Sequence, residues 1–297
     1  MNEDDKTPVS EHRDIVLREL ADRWNPKIAK LIPQFMYRKL HRTLHLDQIN
    51  TLLRDTRDFG PQEFLDRLVN EEFKLRLSFR GREKIDALKG RGDLIFAANH
   101  PIGGPEGFAI AQQLLPDFPD LKIMIQSMLG VLKPLKPIAV YNGTQLHSTL
   151  EAVRRHDPLM IFPAGYCSRR LKNGEIFDLN WKATFVKLAQ RYKHTIVPIH
   201  ISGRLGDRMY RWYGLRRFFG MKMSVETLFL VDEMYRFSGG ELQFTVGDPI
   251  SPGTLTSDVT PDEWANRIRQ YVHALGSDPD AGFDPELPNT YHLEEPL

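Results

Sequence analysis

The sequence predicts an α/β fold, a mainly parallel mixed sheet flanked by helices behind an N-terminal helical lead-in, on three observations. Short apolar runs recur at 94–98 (LIFAA), 159–162 (LMIF) and 195–201 (TIVPIHI), the pattern of strands buried on both faces. Helical patterns fit between several of them. Ahead of both, residues 27–44 carry apolar side chains at spacings of three and four, which is the helical period.

Taken in order, residues 1–8 read as loose and 9–24 as a helix with Ile15, Leu17, Leu20, Ala21 and Trp24 on one side. Pro26 resets the chain. The helix at 27–44 places Ile28, Leu31, Ile32, Phe35, Met36, Leu40 and Leu44 opposite a basic cluster of Lys27, Lys30, Arg38, Lys39 and Arg42. Short helices follow at 47–54 and, after Pro61, at 62–73. Leu75, Leu77 and Phe79 then alternate with polar residues, as in a half-buried strand. Further strands are expected at 94–98, 122–126, 137–141, 159–162, 195–201, 225–231 and 242–247, and helices at 106–115, 145–156 and 180–192. The division is 1–73 helical, 74–275 α/β, and 276–297 a polar tail with Pro279, Pro285, Pro288 and Pro296.

Composition narrows the function. The chain has 297 residues, 41% hydrophobic, with a net charge of +1, against the strongly basic balance of a nucleic-acid-coating protein. It holds no run of about 18–20 apolar residues and starts with the polar MNEDDK, so neither a spanning helix nor a secretory signal is expected. A cytoplasmic protein follows as the expectation. The single cysteine, Cys167, leaves no internal disulfide and no multi-cysteine metal site. No metal is expected, and the motifs of zinc proteases, phosphate loops and serine hydrolases do not occur.

The stretch NHPIGGPEG at 99–107 carries the chemistry. It places His100 after a strand and Glu106 at the next helix start, the edge where open α/β sheets bind ligands. A neutral imidazole accepts a proton near pH 7, with an ordinary pKa of about 6.5. A carboxylate on its other nitrogen fixes the tautomer and stabilises the imidazolium. With no serine in the set, the nucleophile is a hydroxyl or amine of the acceptor, and the acyl group passes directly. Gly103 and Gly104 allow close backbone approach, and their N–H groups, or those of the helix start, are candidates for holding an oxyanion.

NHPIGGPEG resembles the first signature block, N-H-x-x-x-x-D, of the glycerolipid (phospholipid/lysophospholipid) acyltransferase family, closest to its bacterial "putative hemolysin" branch with N-H-P-x-G-G-x-D-G. Here the acid is Glu106, one place later than in the main pattern. IFPAGYCSRR at 161–170 resembles the third block, F-P-E-G-T-R-S, which shapes the acceptor site, with Ala164 and Cys167 where the family has glutamate and arginine. That departure points away from glycerol 3-phosphate and lysophosphatidate. Val197-Pro198-Ile199 resembles the fourth block, and the likeness spans roughly residues 30–275.

The resemblance implies His100 as general base with Glu106 as partner, and Asn99, Phe162, Pro163, Gly165, Ser168, Arg169 and Arg170 around the substrate. Arg169 and Arg170 read as headgroup or donor-binding residues or as solvated loop arginines. Cys167 reads as a small packed residue and His200 as an ordinary sheet residue. The implied reaction moves an acyl group from acyl-ACP or acyl-CoA, with no bound cofactor, to the hydroxyl of a lyso-lipid, including a lyso-aminolipid with a free hydroxyl on its first acyl chain. Acylation of lysophosphatidate and non-catalytic lipid binding remain the alternatives.

Such an enzyme must reach the bilayer, which implies a peripheral position on the inner face of the cytoplasmic membrane. The helix at 27–44 combines an apolar stripe with basic residues, fitting either an interfacial helix or packing on the core. The segment RMYRWYGLRRFFG at 208–220 interleaves arginines with aromatics, and Arg211, Trp212, Arg216 and Phe219 are the expected membrane contacts.

Overall fold

The computed structural model describes residues 16–19, 30, 33–141, 146–171, 173–211 and 226–287. Three helical segments come first: α1 (Gln34–Thr43), α2 (Leu46–Asp55) and α3 (Pro61–Asp66), the last continuing into a π-helical turn at Arg67–Glu72. The expected helix at 9–24 lies mostly outside the described residues, as do 288–297 of the tail.

The α/β part follows as β1 (Arg76–Arg80), α4 (Arg82–Asp86), β2 (Leu94–Ala98), α5 (Pro105–Leu114), β3 (Lys122–Ile125) and β4 (Ala139–Tyr141). It continues as α6 (Leu146–Arg154), β5 (Leu159–Ile161), β6 (Arg169–Arg170), β7 (Ile176–Phe177), α7 (Thr184–Tyr192) and β8 (Thr195–Ile201). It finishes with α8 (Glu226–Arg236), β9 (Glu241–Val246) and α9 (Pro261–Ala274). Seven strands form one sheet in the order β1-β9-β8-β2-β5-β3-β4. Within that sheet, among the described residues, only β8 and β9 pair antiparallel, with Ile199 opposite Val246, and the other pairs are parallel; the short β6 and β7 form a separate antiparallel pair. This is the mainly parallel mixed sheet expected.

β2 runs through its middle, and all five of its residues have no exposed surface. Leu94, Phe96 and Ala98 face one core with Phe108, Ile110 and Leu114 of α5, whereas Ile95 and Ala97 face a second core with Phe185 and Ala189 of α7 and Ile268 and Val272 of α9. Continuous apolarity at 94–98 thus reflects burial on both faces. The first core also takes in Leu52, Phe64, Leu65, Leu68 and Val69, so α2 and α3 share it across the expected boundary between residues 73 and 74. By contrast α1 buries no residue, and Phe35 and Met36 are exposed.

One expected element is corrected. Of the stretch 225–231, read as a strand, the described residues 226–231 belong to α8, where Phe229, Leu230 and Met234 lie against the first core at near-helical spacing. A short apolar run does not by its hydrophobicity alone separate strand from helix.

α9 was not anticipated, although its start carries a readable signal. Thr260 accepts from the Glu263 N–H at 3.3 Å, and the Glu263 carboxylate accepts from the Thr260 N–H at 3.0 Å, with Pro261 in the first turn. This is a capping box. Beyond α9 the tail has no helix or strand through residue 287, yet Phe283 lies 5.5 Å from the Tyr271 ring. Thr260→Ala should lower the unfolding free energy by about 1 kcal/mol in urea with an unchanged m-value; an unchanged midpoint would mean that the box contributes nothing.

Candidate active site

The C-terminal end of β2 lies between β8 and β5, and the chain leaves it through Asn99 and His100. Asn99 is buried and continues the ladder to β8 with its side chain, accepting from the Ile201 N–H at 2.6 Å and donating to the Ile201 carbonyl at 2.9 Å. Both ends of its amide are therefore occupied by β8. Asn99 thereby fixes where His100 leaves the sheet.

Glu106, in the first turn of α5, has no exposed surface. Its Oε1 accepts from the N–H groups of Ile102 at 2.8 Å and Gly103 at 2.6 Å, and its Oε2 accepts from Gly104 at 2.9 Å. The same Oε1 stands 3.1 Å from Nδ1 of His100. That approach is close but angled, and Nδ1 has no well-aligned hydrogen bond among the described residues. Burial acts to raise the Glu106 carboxyl, but the facing His100 imidazole and the amides of Gly103 and Gly104 outweigh it, so the group sits below its ordinary value.

The loop glycines are required by this wrapping. Gly103 has φ of 99°, a backbone region that favours glycine, and a Cβ there would meet Sγ of Cys167. A Cβ on Gly104 would come within 2.7 Å of the Met234 side chain. The amides of Gly103 and Gly104, expected to face an oxyanion, instead face Glu106. That expectation is corrected because an internal carboxylate already occupies the nest.

The His100 ring, about one-sixth exposed, stacks on Phe162 at 4.3 Å between centroids. Phe162 opens a turn closed by the Gly165 N–H to the Phe162 carbonyl at 3.0 Å, with Gly165 at φ of 70°. Pro163 is buried in this turn, and its carbonyl accepts from the Lys182 N–H at 3.1 Å. Ala164 and Cys167 are also buried, leaving no charged side chain at either place. Burial and the nearby Glu106 charge push the Cys167 thiol up to about 12, the opposite of an activated nucleophile.

A second buried carboxylate, Asp178, escaped the sequence reading. Its Oδ1 accepts from the Ser168 hydroxyl at 2.6 Å and from the His100 N–H at 3.3 Å, and its Oδ2 accepts from the Trp181 indole at 2.9 Å. The Ser168 N–H donates to the His100 carbonyl at 2.8 Å. Ser168, expected at the substrate, is therefore bonded inward and holds the histidine's main chain. Burial keeps the Asp178 carboxyl above its ordinary value despite the Ser168 and Trp181 bonds.

From α9, the fully buried Arg269 donates to the Asp178 carbonyl at 3.3 Å, and Nε2 of His273 accepts from the Asp178 N–H at 3.3 Å. Burial holds His273 well below its ordinary value, which keeps that nitrogen an acceptor. The available sequence signal was Asp178 three residues before Trp181, directly after the arginine pair and its turn.

Arg169 donates to the Cys167 carbonyl at 2.8 Å. Arg170 pairs with Asp207 and lies 4.9 Å over the Tyr210 ring. Arg211 is exposed at the end of a helical turn at 207–211, and Trp212, Arg216 and Phe219 lie outside the described residues. His200, partly exposed on β8, is pushed down to about 4 by burial. Among the described residues no group of three or more His, Cys, Asp or Glu side chains is placed to hold a metal ion. A histidine braced by a buried carboxylate, beside a partly open aromatic turn, is suited to taking a proton from a bound hydroxyl.

A model of an acyltransferase family matches residues 18–282. The lyso-glycine lipid O-acyltransferase of Bacteroides thetaiotaomicron is 32% identical over 270 residues, covering 88% of this chain and 96% of that protein. The protein of the same description from Phocaeicola vulgatus is 30% identical over 257 residues, covering 84% and 90%. Among solved structures, the crystal structure of the 1-acyl-sn-glycerophosphate (LPA) acyltransferase PlsC from Thermotoga maritima aligns at a TM-score of 0.48 and 16% identity, covering 88% of this chain and 95% of that one. With the family match running through nearly the whole chain and both catalogued relatives aligned over most of their length, this chain belongs to the acyltransferase family.

Proposed function

We propose that this acyltransferase moves an acyl group from a thioester donor, acyl-ACP or acyl-CoA, to the hydroxyl of a lyso-lipid built on an amino acid. The observation that carries the reading is the placement of Nδ1 of His100 3.1 Å from a Glu106 carboxylate that three loop amides hold in place. The acceptor class is supported by the relatives, both described as acting on a lyso-glycine lipid. It is also supported by the buried Ala164 and Cys167, which offer no charge to a glycerol phosphate.

In the reaction, Nε2 of His100 takes the proton of the acceptor hydroxyl while its oxygen attacks the thioester carbonyl. Glu106 stabilises the imidazolium that forms. The tetrahedral intermediate collapses with cleavage of the carbon–sulfur bond, and the imidazolium returns the proton to the departing thiolate. Products are the O-acylated lipid and the free thiol, and the protein carries no acyl group at any stage. Phe162, Pro163 and Gly165 form the wall beside the imidazole, where the reacting groups meet.

The protein works at a membrane surface on the cytoplasmic side. No described helix is long and apolar enough to cross a bilayer, so the approach is peripheral. Exposed Phe35 and Met36 on α1, with Arg38, Lys39 and Arg42 nearby, fit the interfacial alternative for this helix. Arg211, Trp212, Arg216 and Phe219 form the second contact.

His100→Ala should lower transfer of labelled acyl groups to a lyso-glycine lipid by about a thousandfold, measured by lipid extraction and chromatography. Equal transfer by variant and wild type would remove His100 from the chemistry, and absence of transfer by the wild type would remove the acceptor class. Replacing Phe35 and Met36 by serine, together with Arg211, Trp212, Arg216 and Phe219, should abolish co-sedimentation with anionic vesicles; undiminished binding would refute both contacts.

A further inference from the structure

A cleft of about 510 Å³ opens beside the His100 loop, with Ile102, Leu205 and Phe237 among its apolar wall residues and Arg204, Arg208, Arg211 and Arg236 among its charged ones. Ile102 is two residues from His100, and its N–H is bonded to the Glu106 oxygen that faces the imidazole. The cleft therefore begins at the loop that carries the proposed base.

Its charges are layered. Asp232 and Glu233 of α8 are buried, and they hold arginines that reach outward. Arg208 pairs with Asp232 and donates to Glu233 at 2.8 Å, and Nε of Arg236 donates to Asp232 at 2.8 Å. Glu233 also accepts from the Gly206 N–H at 2.9 Å, tying the loop after β8 to α8. Arg204 and Arg170 both pair with the exposed Asp207. Four guanidiniums (Arg204, Arg208, Arg211 and Arg236) and two carboxylates (Asp207 and Glu233) thus line the cleft, with Arg170 and Asp232 paired to them from outside the lining.

On α8 the carboxylates are the buried members, 11% exposed for Asp232 and 6% for Glu233, against 62% for Arg236, which pairs with Asp232, while Arg204 and Asp207 are both exposed. A guanidinium has five N–H donors, so one or two internal bonds leave others turned to the opening. Nε of Arg208 is itself buried without a hydrogen-bond partner among the described residues. Buried polar groups are otherwise almost always bonded. Buried carboxylates fix Arg208 and Arg236 in place, Arg204 pairs with the exposed Asp207, and arginines outnumber carboxylates along the cleft.

We infer that this cleft receives the free carboxylate of the acceptor's amino-acid head, which arginine's planar fork pairs with bidentately. The inference rests on the proposed acceptor class and extends it. A glycine joined to a fatty chain through its nitrogen keeps its carboxylate, and the apolar wall beside the arginines suits the adjoining chain. The cleft then selects acceptors by charge, while the His100 loop at its edge meets the hydroxyl.

The test is binding, read independently of turnover. Wild type and the Arg204→Ala/Arg211→Ala double variant, with folding checked by circular dichroism, are titrated by calorimetry with N-lauroylglycine, its methyl ester and coenzyme A. Wild type should bind the acid at least about tenfold more tightly than the ester, and the variant should bind both alike. Equal affinities in the wild type, or a preference that survives in the variant, would overturn the inference. So would a variant that loses coenzyme A while keeping the acid, which would give the cleft to the donor. A protein that acylates lyso-glycine lipid without this preference keeps the proposed reaction and loses the cleft; one that binds the acid through these arginines but acylates no lyso-lipid does the reverse.

Discussion

A carboxylate with no exposed surface must find its compensation inside the protein, and Glu106 finds it in three amide N–H groups of its own loop and in the His100 imidazole. An ion left unpaired at such a depth would cost several kcal/mol. Charge-assisted bonds from main-chain donors offset that cost and fix the path of residues 102–104. One side chain therefore shapes the loop and sets the electrostatics of the histidine. Loop and imidazole are held together, because the same Oε1 serves both.

The main chain of His100 is held from its other side by Asp178 and Ser168, which take its N–H and its carbonyl. Asp178 is in turn bonded to Arg269 and His273 of α9, an element that closes the second core behind the sheet. A helix near the end of the chain thereby stabilises the position of a loop far earlier in sequence. Of the residues expected around the substrate, Asn99 bonds to β8, Ser168 bonds to Asp178, and Phe162 stacks on the imidazole itself.

What could be read from the sequence follows from the range of the forces involved. β2 and β8 were legible because burial on both faces writes itself as continuous apolarity, and His100 with Glu106 because they share one short loop. The direction of the Gly103 and Gly104 amides was not legible, since it depends on how the Glu106 side chain folds back. Asp178 was hidden because its partners other than Trp181 lie 78, 10, 91 and 95 positions away. α8 was mistaken for a strand because only the packing of Phe229, Leu230 and Met234 separates the two. α9 was overlooked although Thr260, Pro261 and Glu263 announced its start.

The central claim is that acyl transfer is direct, with His100 as base and no nucleophile on the protein. Cys167 is buried with its thiol pushed up to about 12, and Ser168 is bonded to Asp178. Intact-protein mass spectrometry after incubation with acyl-ACP or acyl-CoA alone, and again during turnover with lyso-glycine lipid, tests this most directly. Direct transfer predicts an unmodified protein mass throughout, with product formed only when acceptor is present. A stoichiometric mass increase equal to one acyl group, discharged on addition of acceptor, would contradict it.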